Sequence, residues 1–478
     1  MTDADVLVVG AGVSGLTIGW LLASEGLSVE VWEQDDRPGG KIQTRHQSGY
    51  LLEDSASMVM NFRPEVDRFF AATDMDRYKV KRAPTEHRYL LNDDRLVKLP
   101  LTLGAMVKSP VWSTADKLRM LFEPFAGAGD RDKETVSEFV TRRLGRKILE
   151  QAIEPFVAGP LASDPDRANA TATLPRLTGL EQRYGSITLG MLMHKFLRRR
   201  TATETEAFSF EGGMTRLIEA LVSTATIRLR TTYKATELVP ANGGWTAIGV
   251  SSGAERTLRV RHVVLSAPAD AAASLVTPLD VELGNLLREI EYAPVSVVHM
   301  GFAETAVNHD LNGTGFLVPR REKLALTGCM WSSRLFPSHA PDGKVLLTNY
   351  LGGARWPDAI TWDDDRSVAE ISKILKPQLG IKADPEMVSI TRHRRGLPLY
   401  YGEYPARMRA IDSRLRNLPG LSLEANYRDG ISIRDRIVCA YQAVERILSS
   451  LNRPSKALQE TRLPRPNGLI PASADVAH

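Results

Sequence analysis

The sequence is poor in cysteine and in long apolar runs, and each shortage excludes a class of protein. Its only two cysteines, Cys329 and Cys439, lie far apart along 478 residues. This excludes a disulfide framework and a C-x-x-C metal or redox motif. No run reaches about 18 uncharged apolar residues, so we predict no membrane-spanning helix. The acidic first residues lack the basic start of an export signal. We therefore expect a cytoplasmic protein in a reducing compartment.

An excess of charge of one sign is also lacking. The 61 basic and 57 acidic residues leave a formal net charge of +4. That charge is too small to indicate nucleic-acid binding, but it suits an acidic small-molecule substrate. The nine histidines include no pair at the spacing of metal ligands, and no Ser-His-Asp order is evident, so we expect no metal. The length exceeds one ordinary domain of about 150 residues and predicts two or three domains.

The N-terminal segment has the pattern of a strand, a glycine turn, a helix and a second strand. The apolar residues 5–9 fit a buried parallel strand, and Gly10-Ala11-Gly12-Val13-Ser14-Gly15 follows at once. Residues 16–24 have helical apolar spacing, and residues 27–32 form a second strand that ends at Glu33. This order of elements predicts a βαβ unit that binds a nucleotide.

Each residue of that motif has a physical task in binding a dinucleotide. Gly10 permits the tight turn, Gly12 lets backbone N–H groups approach a pyrophosphate, and Gly15 allows the helix to pack closely on the strand. Val13 and Ser14 belong to the same motif, just before the predicted helix, whose positive end favours the phosphates. The carboxylate of Glu33 can accept hydrogen bonds from both ribose hydroxyls, and it disfavours a 2′-phosphate. The motif alone leaves FAD and NAD open, and no second glycine fingerprint is found.

A second glycine segment, Gly39-Gly40-Lys41-Ile42-Gln43-Thr44, follows the ribose carboxylate. With it, the chain resembles FAD enzymes of the amine oxidase and protoporphyrinogen oxidase superfamily. Further segments resemble the protoporphyrinogen oxidase branch in particular. These segments are His87-Arg88-Tyr89, Leu99-Pro100, residues 117–125, 155–159, Asp164-Pro165, 180–187, 208–214, 292–295, 352–355 and Gly430-Ile431. The resemblance covers about residues 5–448 in unbroken order.

The resemblance implies FAD as the cofactor and a set of residues that hold it. Gly39 and Gly40 would let the backbone pass close to the FAD phosphates and flavin, with Lys41 beside them. Residues 264–268, including Ala267, would form a strand next to FAD. Ala235 would lie near the adenine, where the family tends to have valine.

The resemblance also implies contacts with the flavin and the substrate. Gly430 and Ile431 would lie at a helix start and face the pyrimidine end of the flavin. Arg88 matches the arginine that pairs with a propionate of the tetrapyrrole, a task that suits the guanidinium fork. Tyr400 belongs to an aromatic cluster that lines a planar ligand's cavity or is only core. Arg394 lies in a basic run that guides an acidic substrate or is a solvated strand end.

The activity implied is hydride transfer from a porphyrinogen-like substrate to flavin N5, with reoxidation by O2 to H2O2. No obligatory side-chain base is implied, and we name no catalytic side chain. The chain departs from the family pattern near the expected cavity, at residues 54–58, 161–165 and 398–404. One alternative is therefore an FAD-dependent oxidase or desaturase of a pyrroline, a cyclic amine or another specialised metabolite. Another is a flavin-binding carrier without turnover.

The predicted fold class is α/β, with a Rossmann-type FAD-binding domain, a mixed-sheet substrate domain and a mainly helical insertion. We assign residues 1–84, 205–280 and 415–450 to the FAD-binding domain, 281–414 to the substrate domain, 85–204 to the insertion and 452–478 to a disordered tail. Lys195 and residues 198–200 follow an apolar helical face and either contact anionic lipid or form a solvated loop. The sequence leaves a homodimer open.

Overall fold

The computed structural model describes residues 2–85, 87–99, 119, 122–197, 205–224 and 226–454. The strands of this part are, in chain order, β1 (Ala4–Val9), β2 (Val29–Trp32), β3 (Thr44–Gln47), β4 (Tyr50–Glu53), β5 (Val59–Asn61), β6 (Lys79–Lys81), β7 (Tyr89–Leu91), β8 (Leu96–Lys98), β9 (Glu206–Phe210), β10 (Ile227–Arg230), β11 (Lys234–Ala241), β12 (Gly244–Ser251), β13 (Ala254–Leu265), β14 (Tyr292–Ala303), β15 (Gly315–Leu317), β16 (Leu326–Met330), β17 (Lys344–Gly352), β18 (Met387–Pro398) and β19 (Leu421–Leu423).

The α-helices of the same part are Val13–Ser24, Pro64–Ala72, Val136–Arg143, Arg146–Ile148, Glu154–Ala158, Ala170–Thr173, Pro175–Tyr184, Ile187–Leu197, Thr215–Ser223, Ala269–Val276, Val281–Arg288, Ser332–Leu335, Asp364–Leu379, Tyr404–Leu415 and Ile433–Ser450. A π-helical turn, Leu149–Ile153, precedes Glu154–Ala158. None of the described helices is long and apolar enough to cross a membrane.

The first sheet has the strand order β10-β2-β1-β13-β12-β11, with β19 also beside β13. Strand β13 is long enough to pair with two strands along the same edge. Its first part pairs antiparallel with β12, and its last part pairs parallel with β19. Strands β10, β2, β1, the end of β13 and β19 are parallel, so their carboxyl ends meet at one edge. That edge is where a doubly wound sheet binds its ligand.

Strands β1 and β2 are buried because helices cover both faces of the sheet. Val6 and Val8 of β1 pack in a core with the helices Val13–Ser24 and Ile433–Ser450. Leu7, between them in sequence, packs on the other face with the helix Ala269–Val276. The alternation follows from the two-residue repeat of a strand. It confirms the Rossmann-type part of the predicted fold class.

The second sheet has the strand order β18-β14-β17-β16-β15-β7-β8. Its apolar face packs against the helix Asp364–Leu379. Strands β7 and β8 come from residues 89–98, which we predicted to open the helical insertion. They join the second sheet because Phe316 and Leu317 of β15 pair in parallel with Tyr89 and Leu90. The prediction was wrong there: the insertion as the structure has it begins later in the chain.

The described residues 122–197 are mainly helical. Their apolar spacing predicts helices over residues 135–144 and 189–199, and the structure has the helices Val136–Arg143 and Ile187–Leu197 there. Most of the helix expected over residues 115–125 lies outside the described residues, as do Pro100, the Lys195 side chain, residues 198–200 and the tail from residue 455.

Candidate cofactor and substrate site

The glycine turn after β1 leaves an open cradle in front of a helix start. Gly10 has φ +104°, and a Cβ at Gly15 would lie 2.0 Å from the Gly10 carbonyl oxygen, so both positions require glycine. A Cβ at Gly12 would meet nothing within 4 Å. No side chain caps the helix that begins with Val13 and Ser14, so its first N–H groups face this open space. The cradle suits an anion such as a pyrophosphate.

Glu33 closes the adenosine end of the cradle. Glu33 is only 7% exposed. Its Oε2 accepts a 2.7 Å hydrogen bond from the backbone N–H of Ala11, and its Oε1 accepts a hydrogen bond from the backbone N–H of Asp35. Burial raises the pKa of Glu33 above its ordinary value. The N–H of Tyr233 donates to the Glu33 carbonyl at 2.7 Å. This contact brings the start of β11, with the partly buried Ala235, to the same end of the cradle.

The second glycine pair lies against the first. Gly39 has φ +106°, and its N–H donates to the Ala11 carbonyl at 2.8 Å. Gly40 has φ +57°, and a Cβ there would lie 3.4 Å from the Cα of Gly12. The backbone of both segments therefore forms one wall of the cradle.

Lys41, which follows Gly40, carries a positive charge that no acidic side chain of the described residues neutralises. Among the described residues, no hydrogen-bonding or ion-pairing partner is found for its Nζ, which lies 5.8 Å from the centroid of the Tyr292 ring. Burial, together with repulsion from Arg395, lowers the pKa of Lys41 to about 8. A buried charge without a partner is costly. The arrangement therefore favours an anionic ligand beside Lys41.

The two neighbouring arginines of strand β18 differ in their contacts. Arg395 forms an ion pair with Asp270, and its charge acts on Lys41. Arg394 is exposed, and no contact between it and the cradle is found among the described residues. The pairing of β18 with β14 shifts register opposite residues 394–396, so the regular two-residue repeat does not extend over these positions. Of the basic run, Arg395 is therefore the residue whose charge reaches Lys41.

The chain departs from the family pattern at residues 54–58. The first residue of this segment, Asp54, holds it in place through hydrogen bonds. Asp54 accepts hydrogen bonds from Arg45 at 2.7 Å and from the Thr391 hydroxyl at 2.8 Å. Its carbonyl oxygen accepts a hydrogen bond from His393 at 2.7 Å. The Ser55 hydroxyl donates to the Lys41 carbonyl at 2.7 Å. The acid at position 54 therefore binds the segment to β18 rather than lining an open cavity.

Glu53 is a buried acid that the sequence analysis missed. The residue is 3% exposed, and its carboxylate accepts hydrogen bonds from the Thr44 hydroxyl at 2.9 Å and the Met214 N–H at 2.8 Å. Burial raises the pKa of Glu53 to about 7. His299 Nε2 lies 3.1 Å from the Glu53 carbonyl oxygen, so Nε2 carries the proton. A charged residue directly after the apolar Leu51-Leu52 was the available signal.

The two remaining cofactor segments meet the same edge of the first sheet. A Cβ at Gly10 would lie 3.1 Å from the backbone of Ser266 and Ala267, which follow β13. The buried Ser266 hydroxyl has no partner among the described residues. Gly430 has φ +109°, and the partly buried Ile431 links it to Ser432, which caps the helix Ile433–Ser450. The structure thus brings the Gly10 turn and Ala267 together at this edge, and Gly430 and Ile431 follow β19 along the chain.

The predicted substrate residues Arg88 and Tyr400 differ in their exposure and in their hydrogen-bond partners. Arg88 is exposed, and no acidic partner is found for it among the described residues; desolvation and repulsion from Arg82 lower its pKa. The Tyr400 hydroxyl donates to the Asn426 carbonyl at 2.8 Å, and burial raises its pKa. Arg88 is therefore free to bind a carboxylate, whereas the Tyr400 hydroxyl is already used by the backbone.

The described cysteines and histidines form no cluster of metal ligands. Among the described residues, no group of three or more His, Cys, Asp or Glu side chains is placed to bind a metal ion. Both cysteines are free, and Cys329 is buried.

Comparison with known proteins gives a consistent picture. The family model for flavin-containing amine oxidoreductases matches residues 13–427. The chain is 30% identical to "Protoporphyrinogen oxidase 2, chloroplastic/mitochondrial" of Arabidopsis thaliana, over 93% of this chain and 94% of that protein. It is 25% identical to the "Coproporphyrinogen III oxidase" of Bacillus subtilis (strain 168), over 93% of this chain and 98% of that protein.

Solved structures share the fold at lower identity. A structure from Exiguobacterium sp. 255-15, provisionally described as a protoporphyrinogen oxidase, has a TM-score of 0.76 at 22% identity and covers 95% of this chain and 100% of that one. The cyclohexylamine oxidase from Brevibacterium oxydans IH-35A has a TM-score of 0.69 at 14% identity and covers 94% of this chain and 100% of that one. The chain belongs to the flavin-containing amine oxidoreductase family, and it is an FAD-dependent oxidase related to the protoporphyrinogen and coproporphyrinogen oxidases.

Proposed function

We propose that this chain oxidises a porphyrinogen-like substrate that carries carboxylates. The observation that supports the proposal most is its similarity, over nearly the whole chain, to proteins named protoporphyrinogen and coproporphyrinogen oxidases. When bound, FAD accepts a hydride from a saturated substrate carbon, and O2 takes up the two electrons and two protons as H2O2. The protein supplies binding, orientation and charge.

The described residues fit FAD. The open space before Gly12 accommodates the pyrophosphate, and the Glu33 carboxylate accepts hydrogen bonds from ribose hydroxyls. Lys41, which lacks an anion, would pair with a phosphate oxygen, and the unpartnered Ser266 hydroxyl supplies a further donor. Gly430 and Ile431 would approach the pyrimidine end of the flavin. Binding would thus remove the cost of a buried cation that the protein alone leaves uncompensated.

On the substrate side, Arg88 would hold a carboxylate. Its guanidinium is exposed, with no acidic partner among the described residues, and can form two parallel hydrogen bonds with a propionate. Arg395, whose pKa is raised by its ion pair with Asp270, keeps a positive charge that acts on Lys41. These two arginines would orient an acidic substrate so that the reacting carbon faces the flavin.

The direct test is aerobic turnover of the purified FAD-loaded protein with protoporphyrinogen IX and coproporphyrinogen III. Porphyrin fluorescence and H2O2 are followed together, and we expect both to rise in step with one of the two substrates. Failure with both, in a protein that retains FAD, would contradict the proposal.

The alternative substrate class is a pyrroline, a cyclic amine or another specialised metabolite. The observation that favours it is the altered segment at residues 54–58, where Asp54 is held by Arg45 and Thr391. A panel of cyclic imines and amines, assayed for H2O2 release, would separate the two classes. No release and no flavin reduction with any compound would favour a flavin carrier instead.

We further propose peripheral contact of the helical insertion with an anionic lipid surface. Phe122 and Phe125 are 63% and 84% exposed, and Glu123 between them is clamped by Arg143 and by the N–H of Ile187. The clamp keeps both rings facing outward beside the exposed Leu189, Leu192 and Met193. In sequence, three arginines at 198–200 follow. Apolar side chains next to basic ones suit an anionic membrane interface.

Flotation with phosphatidylglycerol vesicles tests this contact. The wild-type protein should float with the vesicles, and the double variant Phe122→Ser/Phe125→Ser should not. Trp356→Ser, at a residue that is exposed elsewhere, is the matched control. Equal flotation of the double variant and the wild type would contradict the proposal. A homodimer and a cytoplasmic location stay predictions; the two free cysteines support a reducing compartment.

A further inference from the structure

The loop between β19 and the turn Gly430-Ile431 is held through its carbonyl oxygens. The Ala425 carbonyl accepts a 2.7 Å hydrogen bond from Arg436 Nη1, and the Arg428 carbonyl accepts one from Nη2 of the same side chain. The Asn426 and Tyr427 carbonyls between them accept hydrogen bonds from the hydroxyls of Tyr400 and Tyr404, at 2.8 and 2.5 Å. Four successive carbonyls are thus bound by three side chains, which we name the carbonyl clamp.

The clamp determines where the flavin-facing turn lies. The Tyr400 hydroxyl donates to the Asn426 carbonyl, four residues before Gly430. Buried carbonyls without donors would cost free energy, so the loop keeps the conformation in which all four are paired. Gly430 and Ile431 begin directly after this loop. Their position therefore depends on the clamp.

Arg436 also brings a positive charge into this part of the core. The residue is 3% exposed, and among the described residues none of its hydrogen bonds goes to a carboxylate. Asp435 beside it is paired with Arg434 at 2.7 Å. The Nε of Arg436 is buried without a partner among the described residues. The side chain thus hydrogen-bonds only carbonyl and thiol groups in the described part of the chain, while the charges of Asp429 and Asp435 act on it without a hydrogen bond.

We propose that Arg436 is a positioning residue: with Tyr400 and Tyr404 it fixes the Gly430-Ile431 turn, and its buried charge favours the reduced, anionic form of the flavin. The inference rests on the proposed contact of Gly430 and Ile431 with FAD. A positive charge near the flavin ring nitrogens is a known means of tuning its electronics.

The test compares Arg436→Met, Arg436→Lys and Tyr400→Phe, with Arg446→Met as the control. Arg446 lies on the same helix, and its side chain, which is 60% exposed, pairs with the mostly buried carboxylate of Glu424. The measurements are the dissociation constant for FAD of the apoprotein and the midpoint potential of the bound flavin. Tryptophan fluorescence of each apoprotein reports whether it is folded.

Arg436→Met should weaken FAD binding about tenfold or more, because two buried carbonyls lose their donors. It should also lower the midpoint potential. Arg436→Lys keeps the charge, so its potential should stay near that of the wild type although FAD binds more weakly. Tyr400→Phe should weaken FAD binding and leave the potential unchanged. Arg446→Met should change neither quantity.

A wild-type potential and a wild-type FAD affinity in folded Arg436→Met would overturn the proposal. If Arg436→Met does not fold, wild-type FAD affinity in both Arg436→Lys and Tyr400→Phe would overturn it. The variant Ile431→Ala tells whether the clamp proposal or the proposed contact of Ile431 with FAD is wrong. If Ile431→Ala alters FAD binding and the clamp variants do not, only the clamp is wrong. If none of them alters it, the contact itself is wrong.

Discussion

The cradle is walled by backbone, whereas the segment at residues 54–58 is held by side chains. Around the cradle, Gly10, Gly15 and Gly39 adopt conformations or approach distances that only glycine permits. In the other segment, Asp54 is held by Arg45 and Thr391, which come from β3 and β18. An arrangement built from backbone can be predicted from one short stretch of sequence, whereas one built from side chains depends on which distant elements come into contact. The four predictions below test that contrast.

The largest effect is expected at Gly15. A Cβ there would lie 2.0 Å from the Gly10 carbonyl oxygen, so Gly15→Ala should displace the helix Val13–Ser24 from β1. We expect the free energy of unfolding to fall by about 3 kcal/mol and FAD binding to be lost. Gly12→Ala is the matched variant, because its Cβ meets nothing within 4 Å. It should keep the stability and weaken FAD binding only.

Urea unfolding and FAD titration of both variants provide the measurement. If Gly12→Ala proves as unstable as Gly15→Ala, the open space before the helix is not a ligand site.

A smaller effect is expected at Glu53, which directly precedes the segment at residues 54–58. Since burial raises its folded-state pKa to about 7, the stability it contributes is present below the unfolded pKa of 4.5 and is lost as the pH rises to 7. Glu53→Gln mimics the neutral acid. At pH 8 it should be more stable than the wild type by up to about 3 kcal/mol, and at pH 4.5 nearly equal.

Thermal and urea unfolding between pH 4.5 and pH 8 measures this difference, with Glu237→Gln on the exposed strand β11 as the control. A difference that does not change with pH would show that Glu53 has an ordinary pKa.

Arg88 tests the proposed substrate contact alone. Arg88→Ala should raise KM for a carboxylated tetrapyrrole about 10- to 100-fold, because a hydrogen bond to a charged group is worth about 1.5–3 kcal/mol. The FAD content should not change. Arg394→Ala, at an exposed position of β18, should leave KM within about twofold of the wild type. Steady-state kinetics decide this: unchanged KM in Arg88→Ala would remove Arg88 from the substrate site.

The smallest effect is expected at Lys41, beside the cradle. Its pKa of about 8 in the protein without FAD means that Lys41 loses its proton above that pH. A phosphate partner would raise the pKa, so FAD binding takes up a proton above pH 8. The FAD affinity should therefore fall by up to about tenfold per pH unit there.

Fluorescence titration with FAD from pH 7 to pH 9.5 tests this dependence. Lys41→Arg should bind FAD with an affinity that does not change over this range, and Lys41→Met should bind it more weakly throughout. If Lys41→Met keeps the pH dependence of the wild type, another group is responsible.

The βαβ unit and the FAD cofactor could be predicted from the sequence because local patterns encode them. Gly10 to Glu33 form one continuous βαβ unit, and glycine stands at the positions of positive φ, Gly39 and Gly430. The contacts of β18 were harder to predict. Arg394 and Arg395 are neighbours in an irregular part of the strand, and only the contacts of Arg395 show that its charge acts on Lys41. Strands β7 and β8 have three residues each, too short for a periodic signal.

The central claim is that a flavin held in this cradle takes a hydride from a porphyrinogen placed by Arg88. Anaerobic mixing of the FAD-loaded protein with protoporphyrinogen IX or coproporphyrinogen III, followed at the flavin absorption band, tests it most directly. The account predicts rapid bleaching with one of the two, much slower bleaching at the same concentration in Arg88→Ala, and return of the yellow colour on admitting O2. A fully loaded wild-type protein that stays yellow with both substrates would contradict it.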